Sequence, residues 1–224
     1  MNALLAILNV FIDPGETVRR IEGKRTAWLL PVLIGGILMG IYQWNMAHFT
    51  FEAIRMDPPQ GMDPAALEKI QGTMETTSRF TAIIAPVMWA MMALITSALV
   101  FAGCAITGTD VKFPGVFGLV AHTNLIKGVQ LIAHYFVLES KGEVNGMQDL
   151  IPSFGLEMLL PDGANKLLIG FVSFFSVFQI WHMLILAIGF AALAKCSKSK
   201  AFLITAPDWV LGLIFALIGA LFRR

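Results

Sequence analysis

The sequence predicts an all-α, polytopic membrane helix bundle, and three observations lead there. Of 224 residues, 57% are hydrophobic and only 14% are charged, against roughly a quarter charged in an ordinary soluble domain. Five stretches, approximately 27–49, 82–106, 113–138, 166–194 and 201–222, each supply the ~20 predominantly apolar residues that a helix needs to cross a bilayer. Irregular backbone cannot face lipid, so each stretch is expected to be helical, with Pro31, Pro86 and Pro207 bending rather than ending its helix.

The element before the first span is apolar but short. "ALLAILNVFI" is about half a bilayer long, which suits an amphipathic helix lying at the interface. "DPGETVRRIEG" follows, where Asp13 can cap a helix, Pro14 fits its first position and Glu16 stands where a capping box places a carboxylate. Neither a basic region before the apolar run nor a small-residue cleavage site after it is present, so this segment is expected to be retained. Residues 1–26 thus form an interfacial and basic juxtamembrane segment, and 27–224 the five-span membrane domain.

Orientation is read from lysine and arginine in the short flanking segments. Arg19, Arg20, Lys24 and Arg25 precede the first span, and "KCSKSK" between the fourth and fifth holds Lys195, Lys198 and Lys200 without an acid. Both segments are expected in the cytoplasm. The four N-terminal bases are expected to act as an orientation signal, the alternative being a partner-docking or phosphoinositide-type site. Segments 50–81 and 139–165 carry five acids each of the fifteen in the chain, as expected on the opposite side. Five spans then place Arg223 and Arg224 outside, against the charge rule. Asp63 and Pro64 start an extramembrane helix leading into the second span, and "DLIPSFGLEMLLPDG" suits a short helix on the outer leaflet.

Composition also excludes functions. With 16 basic and 15 acidic residues there is no basic surface for nucleic acid. Cys104 and Cys196 lie apart without ligand spacing, and the twelve methionines lack a repeated short interval, so neither a metal nor another cofactor is expected. No HExxH, GxSxG or glycine-rich phosphate loop occurs, and no catalytic residue is assigned.

The remaining candidate chemistry is intramembrane. In "GVFGLVAHTNLIKGVQLIAHYFVL" the third span carries polar groups that are costly in hydrocarbon and should face protein or a wet cavity. At about 100° per residue Thr123, Lys127, Gln130 and His134 fall on one stripe, with His122 and Asn124 at its margins. A rise of about 1.5 Å per residue brings His122 level with Asp208, Lys127 level with His182 and Gln179, and His134 level with Asn45 and His48. Two readings stay open. Lys127, His122, His182 and Asp208 could handle a proton or an anion, because histidine titrates near neutrality and a desolvated lysine can lose its proton. Alternatively the stripe is a seam that fixes helix register, in a chain without the paired discontinuous helices of a transporter. Gly36 and Gly40, Ala187 and Ala191, and Gly212, Ala216 and Ala220 form small-residue ridges that permit close packing or oligomerisation.

Together, "FIDPGETVRRI" followed by "AWLLPVLIGG", the "MDPAALEKIQGTMETTSRF" segment before "IIAPV", "TDVKFPGVFGLVAHTNLI", and the "FSVFQIWHMLILAIGFAALAKCSKSKA" hairpin resemble bacterial members of the Yip (Ypt/Rab-interacting protein) family. "HTNLIK" replaces the polar-to-proline turn of that family's third span. The resemblance implies five spans, a cytoplasmic N-terminus in the inner membrane and no catalytic residues. The expectation is a non-enzymatic protein that binds or organises membrane components: lipids, a membrane-protein partner, or a second copy in a homo-oligomer. An accessory subunit of a larger complex fits equally, and a small proton- or anion-coupled transporter or channel-like subunit is the alternative.

Overall fold

The computed structural model describes residues 2–56, 58, 63–144, 146–150, 154–161 and 163–221; Ile151, Arg223 and Arg224 lie outside them. Among the described residues nine α-helices follow in order: α1 Asn2–Asn9, α2 Pro14–Ile21, α3 Leu29–Met56, α4 Pro64–Thr107, α5 Phe113–Thr123, α6 Leu125–Lys141, α7 Lys166–Phe174, α8 Val177–Ala194 and α9 Lys198–Leu221. Two 3-10 turns, Met147–Leu150 and Leu156–Leu159, stand in the segment between α6 and α7. Five segments are long and apolar enough to cross a membrane: Leu29–Met56, Leu67–Thr107, Phe113–Lys141, Val177–Ala194 and Lys198–Leu221.

The helix boundaries follow local chemistry. Asp13 caps α2 by accepting from the Glu16 backbone N–H at 2.9 Å, with Pro14 at the first position. Glu16 does not close the capping box. Its carboxylate goes to Arg19 at 2.6 Å and Arg20 at 2.9 Å, charge-assisted pairs that outcompete a neutral backbone donor. The helix expected from Asp63 and Pro64 is there, continuous with the second apolar segment in α4.

Two expected spans are interrupted. Between α5 and α6 the regular ladder stops at Asn124, where the Lys127 N–H bonds the Asn124 carbonyl at 2.9 Å, a tighter 3-10 step. The expected helix 166–194 is corrected to two pieces, α7 and α8, separated by Phe175 and Ser176. Ser176 caps α8 through Gln179 N–H, and the Val177 N–H bonds the Phe154 carbonyl at 3.1 Å, so the chain leaves the helix to meet the loop before it. Lys195 ends α8 in the left-handed region at φ 49°, ψ 43°.

The chain forms two compact units. In the first (residues 1–32, 90–127 and 153–224), α2 and α5 pack on α8, and α7 and α8 pack on α9. Its core joins Val18 of α2 to Val116, Leu119 and Val120 of α5, Leu186 and Phe190 of α8, and Ile204 of α9. Cys104 is buried in this cluster, and Cys196 packs against it. The amphipathic α1 exposes Leu4 and Leu8 but buries Ala6, and the Thr17 hydroxyl donates to the Ala6 carbonyl at 3.0 Å, tying it to α2. Phe11 then packs on Trp181 with ring centroids 5.7 Å apart.

In the second unit (33–89 and 128–152), α3 and the early part of α4 approach through glycine. A Cβ on Gly35 would overlap the Trp89 indole, and one on Gly36 would meet Pro86 Cα at 2.5 Å. Pro86 has no N–H, so the helix leaves the Ala82 carbonyl without its usual donor. That oxygen faces Gly40, 2.9 Å from where a Cβ would stand, a contact that only the bare glycine Cα–H face can supply. The ridges read from sequence are therefore used inside the chain: Gly36 and Gly40 against α4, Gly212 against Phe174, and Ala220 against Gly170. Phe49, Ala53, Leu138, Val144 and Leu150 close the second unit's own core.

Candidate functional site

The interruption at Asn124 builds the centre of the candidate site. Asn124 is buried at the junction of α5 and α6, and its side-chain oxygen lies 3.2 Å from Nε2 of His182, which is fully buried on α8. An amide oxygen only accepts, so Nε2–H donates and the tautomer leaves Nδ1 without a proton. Nδ1 has no hydrogen-bond partner among the described residues. Lys127, one turn beyond Asn124, lies within electrostatic range of His182 and of Asp208 on α9. In the first unit an amide and an imidazole are thus hydrogen-bonded, with the Lys127 amine and the Asp208 carboxyl close enough to act electrostatically.

The other predicted residues are placed as follows. His122 is buried, and its Nδ1 bonds the Gly118 carbonyl of its own helix at 2.8 Å. Asp208 of α9 interacts electrostatically with Lys127. Thr123 is buried and its hydroxyl also returns to its own helix, to the Val120 carbonyl at 3.2 Å. Gln179 lies one turn before His182, and its backbone N–H takes the Ser176 cap. Gln130 and His134 fall in the second unit, so the stripe divides after Lys127. There His134 Nε2 meets the Leu150 carbonyl at 2.8 Å and Nδ1 meets the Tyr42 hydroxyl at 2.9 Å. The carbonyl can only accept, so Nε2–H donates to it, and the tyrosine hydroxyl donates a hydrogen bond to the unprotonated Nδ1. Tyr42, missed in the sequence, lies one turn from Asn45, whose own amide bonds the Ile41 carbonyl at 2.7 Å.

Of the juxtamembrane bases, Arg19 and Arg20 share Glu16, and Arg19 reaches Asp13 at 3.8 Å. Lys24 and Arg25 are exposed. No cluster of three or more metal-ligating side chains occurs among the described residues.

A helical chain with five apolar spans and polar side chains meeting inside them is a multi-pass membrane protein. The Yip1 domain model matches residues 8–220, almost the whole sequence, and the chain belongs to that family. Neither a curated protein nor a solved structure matches it.

Proposed function

We propose that this Yip1-domain protein is a non-enzymatic membrane protein that binds or organises other membrane components, as a scaffold or as an accessory subunit of a larger complex. Its place is the inner membrane of a bacterial cell, with the N-terminus in the cytoplasm. One observation carries the reading: intramembrane polar side chains are engaged with their own chain, Asn124 with His182 and His134 with Tyr42, as a register-fixing seam requires. The family match supports the membrane part of it, and the sequence carries no HExxH, GxSxG or glycine-rich phosphate loop.

A second reading rests on a different observation. The bare, buried Nδ1 of His182 stands near Lys127, at the level where α5 gives way to α6. An ammonium and an imidazole so placed can exchange a proton, which is the equipment of a small proton- or anion-coupled transporter.

One experiment separates the two. The full chain is extracted from native membranes in mild detergent after cross-linking, and in parallel sealed into liposomes for proton and anion flux, each with Lys127→Met. The expected result is a membrane protein or second copy recovered at fixed stoichiometry, with no flux above empty liposomes. A chain recovered alone, carrying flux that Lys127→Met abolishes, overturns the proposal in favour of transport.

A further inference from the structure

The second unit contains an amphipathic recess that the polar seam does not use. Trp44, Ala47, His48 and Phe51 of α3 recur at intervals of three and four residues, as do Gln71, Glu75, Ser78 and Arg79 of α4. Each set makes one helix face, and the two enclose a cavity of about 350 Å³. Trp44 also borders a second cavity of about 360 Å³, lined by Gly36, Ile37, Gly40 and Ile41 of α3 and by Ala82 and Pro86 of α4. The first cavity is charged and aromatic, while the second is almost wholly apolar. The change falls where the apolar stretch of α4 begins, near residue 82.

The charges have an order. Arg79 places its guanidinium 5.7 Å from the centre of the Trp44 ring and has no ion-pair partner among the described residues. A cation–π approach over the ring uses none of the guanidinium N–H donors, which stay available for an anion, with phosphate matching their geometry. Glu75 lies one turn farther from the apolar groove, about 6 Å along the axis at 1.5 Å per residue. The Gln71 amide donates to Glu75 Oε1 at 3.3 Å, orienting a carboxylate that retains other acceptor positions. Along α4 the sequence is therefore apolar groove, cation, anion.

We infer that this recess binds a zwitterionic, amine-bearing glycerophospholipid of the phosphatidylethanolamine type, with acyl chain along Gly36–Gly40 and Pro86, phosphate on Arg79, and ammonium on Glu75. The order of groups on the helix is the order of groups on the lipid, and a phosphate joined to an amine through two carbons spans the interval from Arg79 to Glu75. An anionic headgroup of the glycerol type would satisfy Arg79 but place hydroxyls, not a cation, at Glu75. The inference deepens the proposed role in organising membrane components by naming a lipid. It is testable apart from it, because protein co-purification does not report on lipid headgroup choice.

The full chain, delipidated in detergent, is titrated with palmitoyl-oleoyl phosphatidylethanolamine or the matching phosphatidylglycerol, and bound lipid is counted by native mass spectrometry. Phosphatidylethanolamine is expected to be retained several-fold better. Arg79→Gln should lower retention of both lipids by about tenfold, the loss of a charge-assisted bidentate contact. Glu75→Gln should abolish the preference and leave phosphatidylglycerol unchanged. Both side chains are exposed, so lipid-free thermal unfolding of these variants should match the parent, and Arg79→Lys should retain part of the binding. Equal retention of the two lipids by the parent chain, or parental binding by Arg79→Gln and Glu75→Gln, overturns the inference.

Discussion

His182 shows what one buried side chain can fix. It contributes nothing to the apolar periodicity of α8, yet its bond to Asn124 joins that helix to the point where α5 yields to α6. Polar contacts between membrane helices contribute about 0.6 kcal/mol on average and up to about 1.7 kcal/mol, because the separated helices find other partners. A double-mutant cycle of Asn124→Leu and His182→Leu, read by reversible unfolding in mixed micelles, should give a coupling energy in that range. A coupling indistinguishable from zero would mean that the two side chains are neighbours without being partners. The single substitution Asn124→Leu should be costlier than His182→Leu relative to that coupling, since it also removes the residue at the tight step of the backbone. His134 makes the same point in the second unit, where Tyr42 and the Leu150 carbonyl together determine which ring nitrogen carries the proton.

At the scale of elements, glycine placement decides how close α3 and α4 come. A methyl group on Gly35 would occupy the space of the Trp89 ring, and overpacking of this kind costs about 1–3 kcal/mol. Gly35→Ala should therefore lower the thermal unfolding midpoint, and Trp89→Leu in the same chain should recover part of the loss. Equal midpoints for Gly35→Ala and the parent would contradict the packing. Hydropathy made the five apolar segments legible in the sequence, and Asp63 with Pro64 and Asp13 with Pro14 marked the beginnings of α4 and α2. Hydropathy could not reveal the breaks at Asn124 and at Phe175–Ser176. Neither break has a glycine or proline within three residues of it, and both depend on partners far along the chain: His182 for one, Phe154 for the other. The stripe of Thr123, Lys127, Gln130 and His134 was drawn on an unbroken helix. With the break in place its residues fall in two units, and Lys127, on the side of the break that belongs to the first, interacts electrostatically with Asp208.

For the molecule as a whole, the family match covers residues 8–220 and the apolar segments number five. Five crossings would put α1 and the end of α9 on opposite sides. Reporter domains fused ahead of α1 and after α9 should be active in opposite compartments, the first in the cytoplasm, while a tag in the turn between α8 and α9 should share the compartment of the first. Termini on the same side would mean that one apolar segment fails to cross, and the interrupted fourth segment would be the first to suspect. Charge is the basis of this expectation, and Lys195 carries part of it.

Lys195 also adopts the left-handed backbone conformation, in which it is the one non-glycine residue among those described. A glycine would adopt it with less strain, and helices commonly end on one. Where orientation is read from the lysines of this turn, the position answers to two selections that disagree: folding favours a residue without a side chain, and insertion favours one with a charge. A chain optimised for stability alone would exchange this lysine for glycine, and the better-folded product would be the one more often threaded the wrong way through the membrane.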